Sequence, residues 1–466
     1  MSRRVSVIGL GKLGASMAAG IASRGHDVIG VDISQSAVDA VNQGRAPVQE
    51  TGLADLISAN RARLRATQSH AEAVLNSDIS FVIVPTPSDE RGAFKLQYAA
   101  FAFRELGRAL AQKQGYHTVV LTSTVLPGAS RYGLLPILER SSGKQCGEGF
   151  GFCYSPEFVA LGNVIHDFLS PDFLLIGEYD QRSGDHLEAH YRDIVDNGAR
   201  AARMSLENAE LAKISVNAYV TTKITFANML AEICDRMPGG DVDVVSNAIG
   251  LDSRIGRKYL TGALGYGGPC FPRDNVALGF LASALGAPAD LPGIVDRLNR
   301  GIAERAVRGL IDTVHPGATI AVLGLSYKPR SHVVQESQAI QIVRALVDRK
   351  YRVVAFDPLA GHEANQELGG RALVLDSIEA CLRDAEVVLI TTPDPAFAHL
   401  TAADFTRSHT RTVRVVDFWR HLASKLEGAP GIDYIAYGRG AEKPASERNP
   451  LAELWEDAVA GFTEGV

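Results

Sequence analysis

Apolar positions follow two rhythms along the chain. At its start, "RVSVIGLGKLGASMAAGIASRGHDVIGVD" sets a short apolar run against a glycine-rich turn, then small residues at helical spacing, then a second apolar run. This predicts a strand at 5–8, a helix over 15–22 ended by Gly25, and a strand at 28–31 closing on Asp32. Continuous apolar runs at 79–87, 117–128 and 173–178 predict further buried strands. The first ends in a Thr-Pro turn and the second at Ser123-Thr124, at the carboxyl ends where open parallel sheets bind ligands. From Ser205 to 237 the rhythm becomes helical, with no Gly or Pro. Ser205 is placed to cap this helix and Pro238-Gly239-Gly240 to stop it. At ~1.5 Å per residue it would be ~45 Å long. Lys213 and Asn217, four apart, share one of its faces. More helix is predicted around 241–249 and 274–314.

The α/β rhythm then returns, with strands at 319–328, 352–358, 385–394 and 412–419 and a helix at 337–350. The expected fold is α/β: two doubly wound Rossmann-like domains joined by a central helical domain with a long helix. The expected boundaries are 1–204, 205–303 and 304–466. The tail after about 440 is polar and reads as surface.

Composition narrows the class. The chain has 466 residues, too long for one ordinary core, with 46% hydrophobic and 21% charged residues. A net charge of −6 gives no broad basic character for nucleic acid or an anionic membrane. The first apolar run is too short for a signal peptide, and no uncharged apolar stretch approaches the ~18 residues of a spanning helix. Five scattered cysteines without a CxxC pair suggest neither a zinc site nor a disulfide framework, so no metal is expected and a reducing cytoplasm fits.

Two motifs carry chemistry. Gly9-x-Gly11-x-x-Gly14 lies between a strand and a helix, and Asp32 follows 18 residues beyond Gly14. Within a complete βαβ unit these glycines allow a tight turn, close approach of a pyrophosphate and close helix packing. The helix N-terminus favours the phosphates. Asp32 can accept bonds from the adenosine ribose and would repel a 2′-phosphate, so NAD is expected rather than NADP. "GKLGAS" does not have Walker A spacing. The second motif, "GYGGPCFPRD", holds Cys270 in a Gly/Pro-rich loop with Asp274 four residues on. A cysteine in a chain with an NAD fingerprint suggests thiol-assisted oxidation, in which a thiolate adds to an aldehyde and a thioester forms. Such chemistry needs oxyanion donors and a hydrolytic base.

The ordered set "GLGKLG", "VPTP", "STVLPG", "SPEFVALG", "ELAKISVNAYVTTKITFAN", "SRIGRKYL", "GYGGPCFPRD" and "GLSYKP" resembles the nucleotide-sugar 6-dehydrogenases, typified by UDP-glucose and GDP-mannose dehydrogenases. The resemblance covers nearly the whole chain. It implies a double oxidation of a sugar C6 alcohol to a carboxylate with two NAD. It implies Cys270 as nucleophile, Lys213 and Asn217 as oxyanion donors, Asp274 and Thr124 as positioning groups, and Glu157 as acid/base. Cofactor contacts would come from Gly9, Gly11, Lys12, Leu13, Gly14, Asp32, Pro85, Thr86 and Thr124. Substrate contacts would come from Glu157, Phe158, Lys213, Asn217, Tyr259, Gly267, Tyr327 and Lys328, with Arg254 reaching the substrate of a neighbouring subunit. A homodimer through the central helices is implied.

The chain departs from the family pattern at several places. Lys12-Leu13 replaces an aromatic-Val pair, and Pro269 replaces a serine. Leu161 stands where a second glutamate is usual, so thioester hydrolysis is expected either to be slower or to depend wholly on Glu157. Val333 replaces an acid. Gln335 replaces an arginine that in the family approaches the cofactor phosphates, an expected loss of about 1–3 kcal/mol in NAD binding. UDP-glucose is the expected substrate, with GDP-mannose and UDP-N-acetylhexosamines as alternatives. From another class, a non-catalytic NAD- and nucleotide-sugar-binding regulator stays open.

Overall fold

The computed structural model describes residues 3–311, 314–407, 411–441 and 449–459. The chain divides into two compact units, one of residues 1–216 with 277–288, the other of 217–276 with 289 onward.

The first unit is built on a sheet of β1 (Arg4–Ile8), β2 (Asp27–Val31), β3 (Leu64–Thr67), β4 (Ile79–Val82), β5 (Thr118–Leu121), β6 (Gly151–Tyr154), β7 (Leu174–Glu178) and β8 (Ala201–Ser205). Their order is β3-β2-β1-β4-β5-β6-β7-β8. All ladders are parallel except β6 with β7. Val7 stands opposite Gly30 on one side and Phe81 on the other. Val5 and Val7 pack into one core with Met17, Ile21 and Phe168, while Ile8 and Val82 face another with Phe103, Leu106 and Phe152. Burial on both faces explains the continuous apolar runs in the sequence.

The second unit's sheet has β9 (Thr319–Leu323), β10 (Arg352–Phe356), β11 (Leu373–Val374), β12 (Val387–Ile390), β13 (Val413–Asp417) and β14 (Ile432–Ala436). Its order, β11-β10-β9-β12-β13-β14, repeats the doubly wound pattern. Ile320 and Val322 face one core, Ala321 and Leu323 the other. Gly324 turns sharply at φ 98°, as Gly9 does at φ 100°, but no further glycines follow it in "GLSYKP".

The long helix runs Leu206–Arg236, and Ser205 Oγ accepts from Asn208 N at 3.3 Å, capping it as its sequence position suggests. The helix expected around 274–314 takes the form of three helices, Phe271–Ala284, Leu291–Arg300 and Ile302–Ile311. Gly286, at φ 67°, and Pro288 end the first of these. The apolar pattern did not single out β3, β6, β8, β11 and β14: four of these are sheet edges among the described residues, and β6 is a short interior strand that opens on Gly151. Much of the expected surface tail, 442–448 and 460–466, lies outside the described residues; Pro450–Val459 forms a helix.

Candidate active site

In the first unit the three fingerprint glycines do different jobs. A Cβ on Gly9 would lie 2.1 Å from the Ile83 carbonyl oxygen, and one on Gly14 would lie 1.8 Å from the Gly9 carbonyl oxygen. Both glycines are required by backbone packing. A Cβ on Gly11 would meet nothing within 4 Å. Gly11 is therefore the glycine that leaves room for a ligand. It also begins the helix Lys12–Ser23, and no side chain caps that N-terminus. Lys12 and Leu13 form the first turn. The uncapped N–H groups and the helix dipole suit a diphosphate.

Asp32, just past β2, accepts from Leu10 N and Ser34 N, each at 2.8 Å. These two bonds brace the glycine turn and leave carboxylate lone pairs for a ribose diol. At the ends of β4 and β5, Ser123 Oγ accepts from Val84 N (2.9 Å) and donates to Val84 O (2.7 Å). Thr86 Oγ1 donates to Thr124 O at 2.7 Å. Pro85 between them is exposed. Pro85, Thr86 and Thr124 thus line the carboxyl ends of β4 and β5, beside the switch point between β1 and β4. These groups fit NAD.

Glu157, Phe158 and Lys213 come together in the same unit. Lys213 is 7% exposed; its Nζ donates to the Glu157 carbonyl at 2.6 Å and sits 4.2 Å from the Phe158 ring centroid. The ring offers a cation–π contact to the buried ammonium. Phe158 is backed by Phe173 at 5.0 Å. Tyr191 Oη donates to Glu157 Oε1 at 3.4 Å and pairs with Ser155 Oγ at 2.9 Å. Glu157 as a whole residue is partly exposed, but its carboxyl is enclosed by protein. Burial pushes that carboxyl up to about 7, against the opposing pull of Lys213 and the Tyr191 hydroxyl. A carboxyl near 7 is matched to general acid–base work at neutral pH.

In the second unit, Cys270 is a reduced, exposed thiol; the other four cysteines are buried. It immediately precedes the helix Phe271–Ala284, and its carbonyl accepts from Asp274 N at 2.9 Å. A helix N-terminus lowers the cost of a thiolate. Asp274 is 1% exposed and accepts from Asn217 Nδ2 at 2.6 Å and Arg273 Nε at 3.3 Å. A carboxylate only accepts, so it fixes which end of the Asn217 amide faces it. Gly267 and Gly268 seat the loop on the "GLSYKP" segment. A Cβ on Gly267 would lie 2.4 Å from Glu336 O, and one on Gly268 would lie 2.6 Å from the Tyr327 ring. Gly268 N donates to Gln335 O at 2.9 Å. Burial, together with Cys270 nearby, pushes the Tyr327 phenol up to about 12. Lys328 Nζ lies 5.6 Å from the Tyr327 ring centroid.

The predicted residues thus fall into two sets. Glu157, Phe158 and Lys213 accompany the glycine turn in one unit; Asn217, Gly267, Cys270, Asp274, Tyr327 and Lys328 gather in the other. Lys213 and Asn217 are one turn apart on a continuous helix. Arg254 is exposed and tied to Asp252 at 2.6 Å, and Tyr259 is exposed at φ 69°. Gln335 reaches the cysteine loop through its carbonyl, while the residue as a whole is exposed.

Three family models match in order: the NAD binding domain of the UDP-glucose/GDP-mannose dehydrogenase family over 3–195, its central domain over 207–301, and its UDP binding domain over 321–424. The chain belongs to this family. The dehydrogenase is 37% identical to the UDP-glucose 6-dehydrogenase AglM of Haloferax volcanii over 435 residues, covering 92% of this chain and 99% of that one. It is 34% identical to the GDP-mannose 6-dehydrogenase of Pseudomonas aeruginosa, covering 90% and 98%. Among solved structures, a UDP-glucose dehydrogenase from Pyrobaculum islandicum superposes with a TM-score of 0.83 at 32% identity, covering 94% and 98%. The chain is an NAD-dependent nucleotide-sugar 6-dehydrogenase, with NAD as its cofactor.

Sequence reasoning missed several supporting groups. Glu210, fully buried, accepts from Gly128 N (2.6 Å) and Ser130 N (2.8 Å), fixing the long helix one turn before Lys213. Burial raises its carboxyl pKa. Tyr191 holds Glu157 from 34 residues away. Asn228 Oδ1 accepts from Ala263 N at 2.8 Å, at the base of the cysteine loop. Asn228 and Thr221 had a visible signal: helical spacing puts them on the same face of the long helix as Lys213 and Asn217.

Proposed function

We propose that the dehydrogenase converts UDP-glucose to the uronic acid in two oxidations through a covalent intermediate on Cys270. The observation that carries this reading is the exposed Cys270 thiol at a helix N-terminus beside the buried Asp274–Asn217 pair. NAD, when bound, accepts a hydride in each oxidation. Residues 1–204 hold it, 205–303 carry the cysteine loop, and 304–466 hold the nucleotide. Gly9, Gly11 and Gly14 admit the diphosphate, and Asp32 takes the ribose.

The Cys270 thiolate adds to the aldehyde carbon, and the second oxidation leaves a thioester. Lys213 and the second N–H of Asn217 stabilise the oxyanions. Thr124 and Asp274 keep these donors oriented. Glu157 takes a proton from water, which attacks the thioester and releases carboxylate and thiol. Leu161 supplies no second base, so the step rests on Glu157. Phe158, Gly267, Tyr327 and Lys328 contact the nucleotide sugar. A homodimer through the central helices is supported by Tyr219, Phe226, Met229 and Ile233, each 46–62% exposed along the long helix. Arg254, which is exposed, is the group assigned to a neighbouring subunit's substrate, and Tyr259 is assigned to the nucleotide sugar.

NADH formation across UDP-glucose, GDP-mannose and UDP-N-acetylhexosamines tests the substrate. The expected result is two NADH per UDP-glucose consumed. A higher kcat/KM with GDP-mannose overturns the UDP-glucose choice, and binding without turnover across the panel favours a regulator.

Glu157→Gln is expected to slow steady-state turnover by ~10²–10⁴ and to accumulate thioester. The wild-type rate rises with pH through about 7, because only the carboxylate accepts a proton, and the variant lacks this limb. Stability moves the other way. The folded state holds the Glu157 proton up to about 7 and the unfolded chain only to about 4.5. The favourable contribution is therefore complete below 4.5 and is lost as pH rises through 7. Melting temperatures of the two proteins between pH 5 and 8.5 should show the variant gaining on wild type as pH rises.

A further inference from the structure

A second rung of buried polar groups lies one step beyond the Asn217–Asp274 pair. Thr221 is one turn past Asn217 on the long helix, and Asn275 directly follows Asp274. Asn275 Nδ2 lies 3.0 Å from Thr221 Oγ1 and donates to the Tyr266 hydroxyl at 3.0 Å. Thr221, Asn275 and Tyr266 are 0%, 1% and 5% exposed. Tyr266 is also gripped through its backbone. Its N–H donates to Asn299 Oδ1 and its carbonyl accepts from Asn299 Nδ2, both at 2.9 Å. Gly265 permits this approach, since a Cβ there would lie 2.3 Å from Asn299 Oδ1.

Tyr266 is therefore an anchor held at both ends, four residues before Cys270. Only residues 267–270 separate it from the helix that begins at Phe271. Gly267 and Gly268 of that span already pack on Glu336 and Tyr327. The Cys270 sulfur is thus placed by two fixed points, the Tyr266 anchor and the start of the helix. Asn275 links them, because it sits on that helix and holds the anchor's hydroxyl. An apolar trio could fill the same space without hydrogen bonds; a satisfied polar trio instead defines one arrangement.

We propose that Asn275 is a positioning residue for Cys270: through the Tyr266 hydroxyl it sets where the sulfur stands relative to Asp274 and Asn217. The inference rests on the reading of Cys270 as nucleophile. Asn275→Val keeps a branched side chain and removes the link. The expected result is a kcat lower by ~10- to 100-fold, with KM for NAD and for UDP-glucose within about twofold, since misplacement of a reacting group acts on the chemical step. The rate of Cys270 alkylation by iodoacetamide, followed on the Cys270 peptide without substrate, changes at least threefold.

The double variant Tyr266→Phe, Asn275→Val leaves no orphaned hydroxyl. Its melting temperature is expected to recover towards wild type while kcat stays low. Recovery of kcat in step with melting temperature, or a kcat for Asn275→Val within twofold of wild type, overturns the proposal. If Asn275→Val does not fold, Tyr266→Phe carries the test: a tenfold fall in kcat supports the proposal and an unchanged kcat overturns it. Cys270→Ala run in parallel separates the two readings. If it turns over at the wild-type rate, the nucleophile reading itself is wrong, whatever the Asn275 variants show.

Discussion

Cys270→Ala is expected to abolish uronate formation, with overall turnover falling by ~10⁴-fold or more, the scale at which enzymes lose a covalent nucleophile. The thiol is exposed and sits ahead of a helix, so its removal opens no buried cavity. The melting temperature should hold within what ~0.5 kcal/mol can move. Loss of activity with an intact fold separates chemistry from packing. The four buried cysteines offer the internal control. Burial pushes the thiols of Cys146 and Cys381 up to about 12, which keeps them protonated and unreactive. Alanine at either position should cost stability and leave the rate per folded molecule unchanged.

Lys213→Met carries the second large effect. The ammonium is buried, bonded to the Glu157 carbonyl and set over Phe158. Removing an oxyanion donor costs ~10²–10³ in kcat. A second effect goes with it. Lys213 holds the Glu157 carboxyl below where burial alone would leave it, so without the charge the carboxyl moves up from about 7. The acid limb of the pH–rate profile should shift to higher pH in the variant. A lysine on a solvated helix face would produce neither change. Rate and profile measured together on the same preparation decide the point.

What could be read in the sequence was what is local along the chain. The glycine turn was legible because Gly9, Gly11, Gly14 and Asp32 lie within one βαβ unit. The sequence did not show that Gly9 and Gly14 serve packing while Gly11 alone faces open space, because that depends on Ile83 and on the Gly9 carbonyl. The shared face of Lys213 and Asn217 followed from helical spacing. Lys213 packs over Phe158, 55 residues earlier, and the Glu157 carboxyl is raised by burial while Tyr191, 34 residues later, donates to it and opposes that rise. Edge strands such as β3 and β14 escaped because their apolar signal is weak, and the interior β6 escaped because it is only four residues long and opens on Gly151. The helical reading around 274–314 holds, but its division into separate helices follows from local backbone geometry such as the left-handed Gly286, which an apolar period does not show.

Gln335 shows how a substitution is recast by structure. Its side-chain change suggests a lost phosphate contact, yet its carbonyl holds Gly268 N and so supports the cysteine loop. The backbone at 335 therefore supports the cysteine loop whatever side chain stands there.

The most direct measurement is a mass spectrum of the Cys270 peptide from Glu157→Gln enzyme, quenched in acid during turnover with UDP-glucose and NAD. The account predicts a nucleotide-sugar acyl adduct on that peptide, formed as two NADH appear per adduct and absent when NAD is withheld. An unmodified Cys270 peptide throughout turnover, with two NADH still released per sugar oxidised, would contradict it.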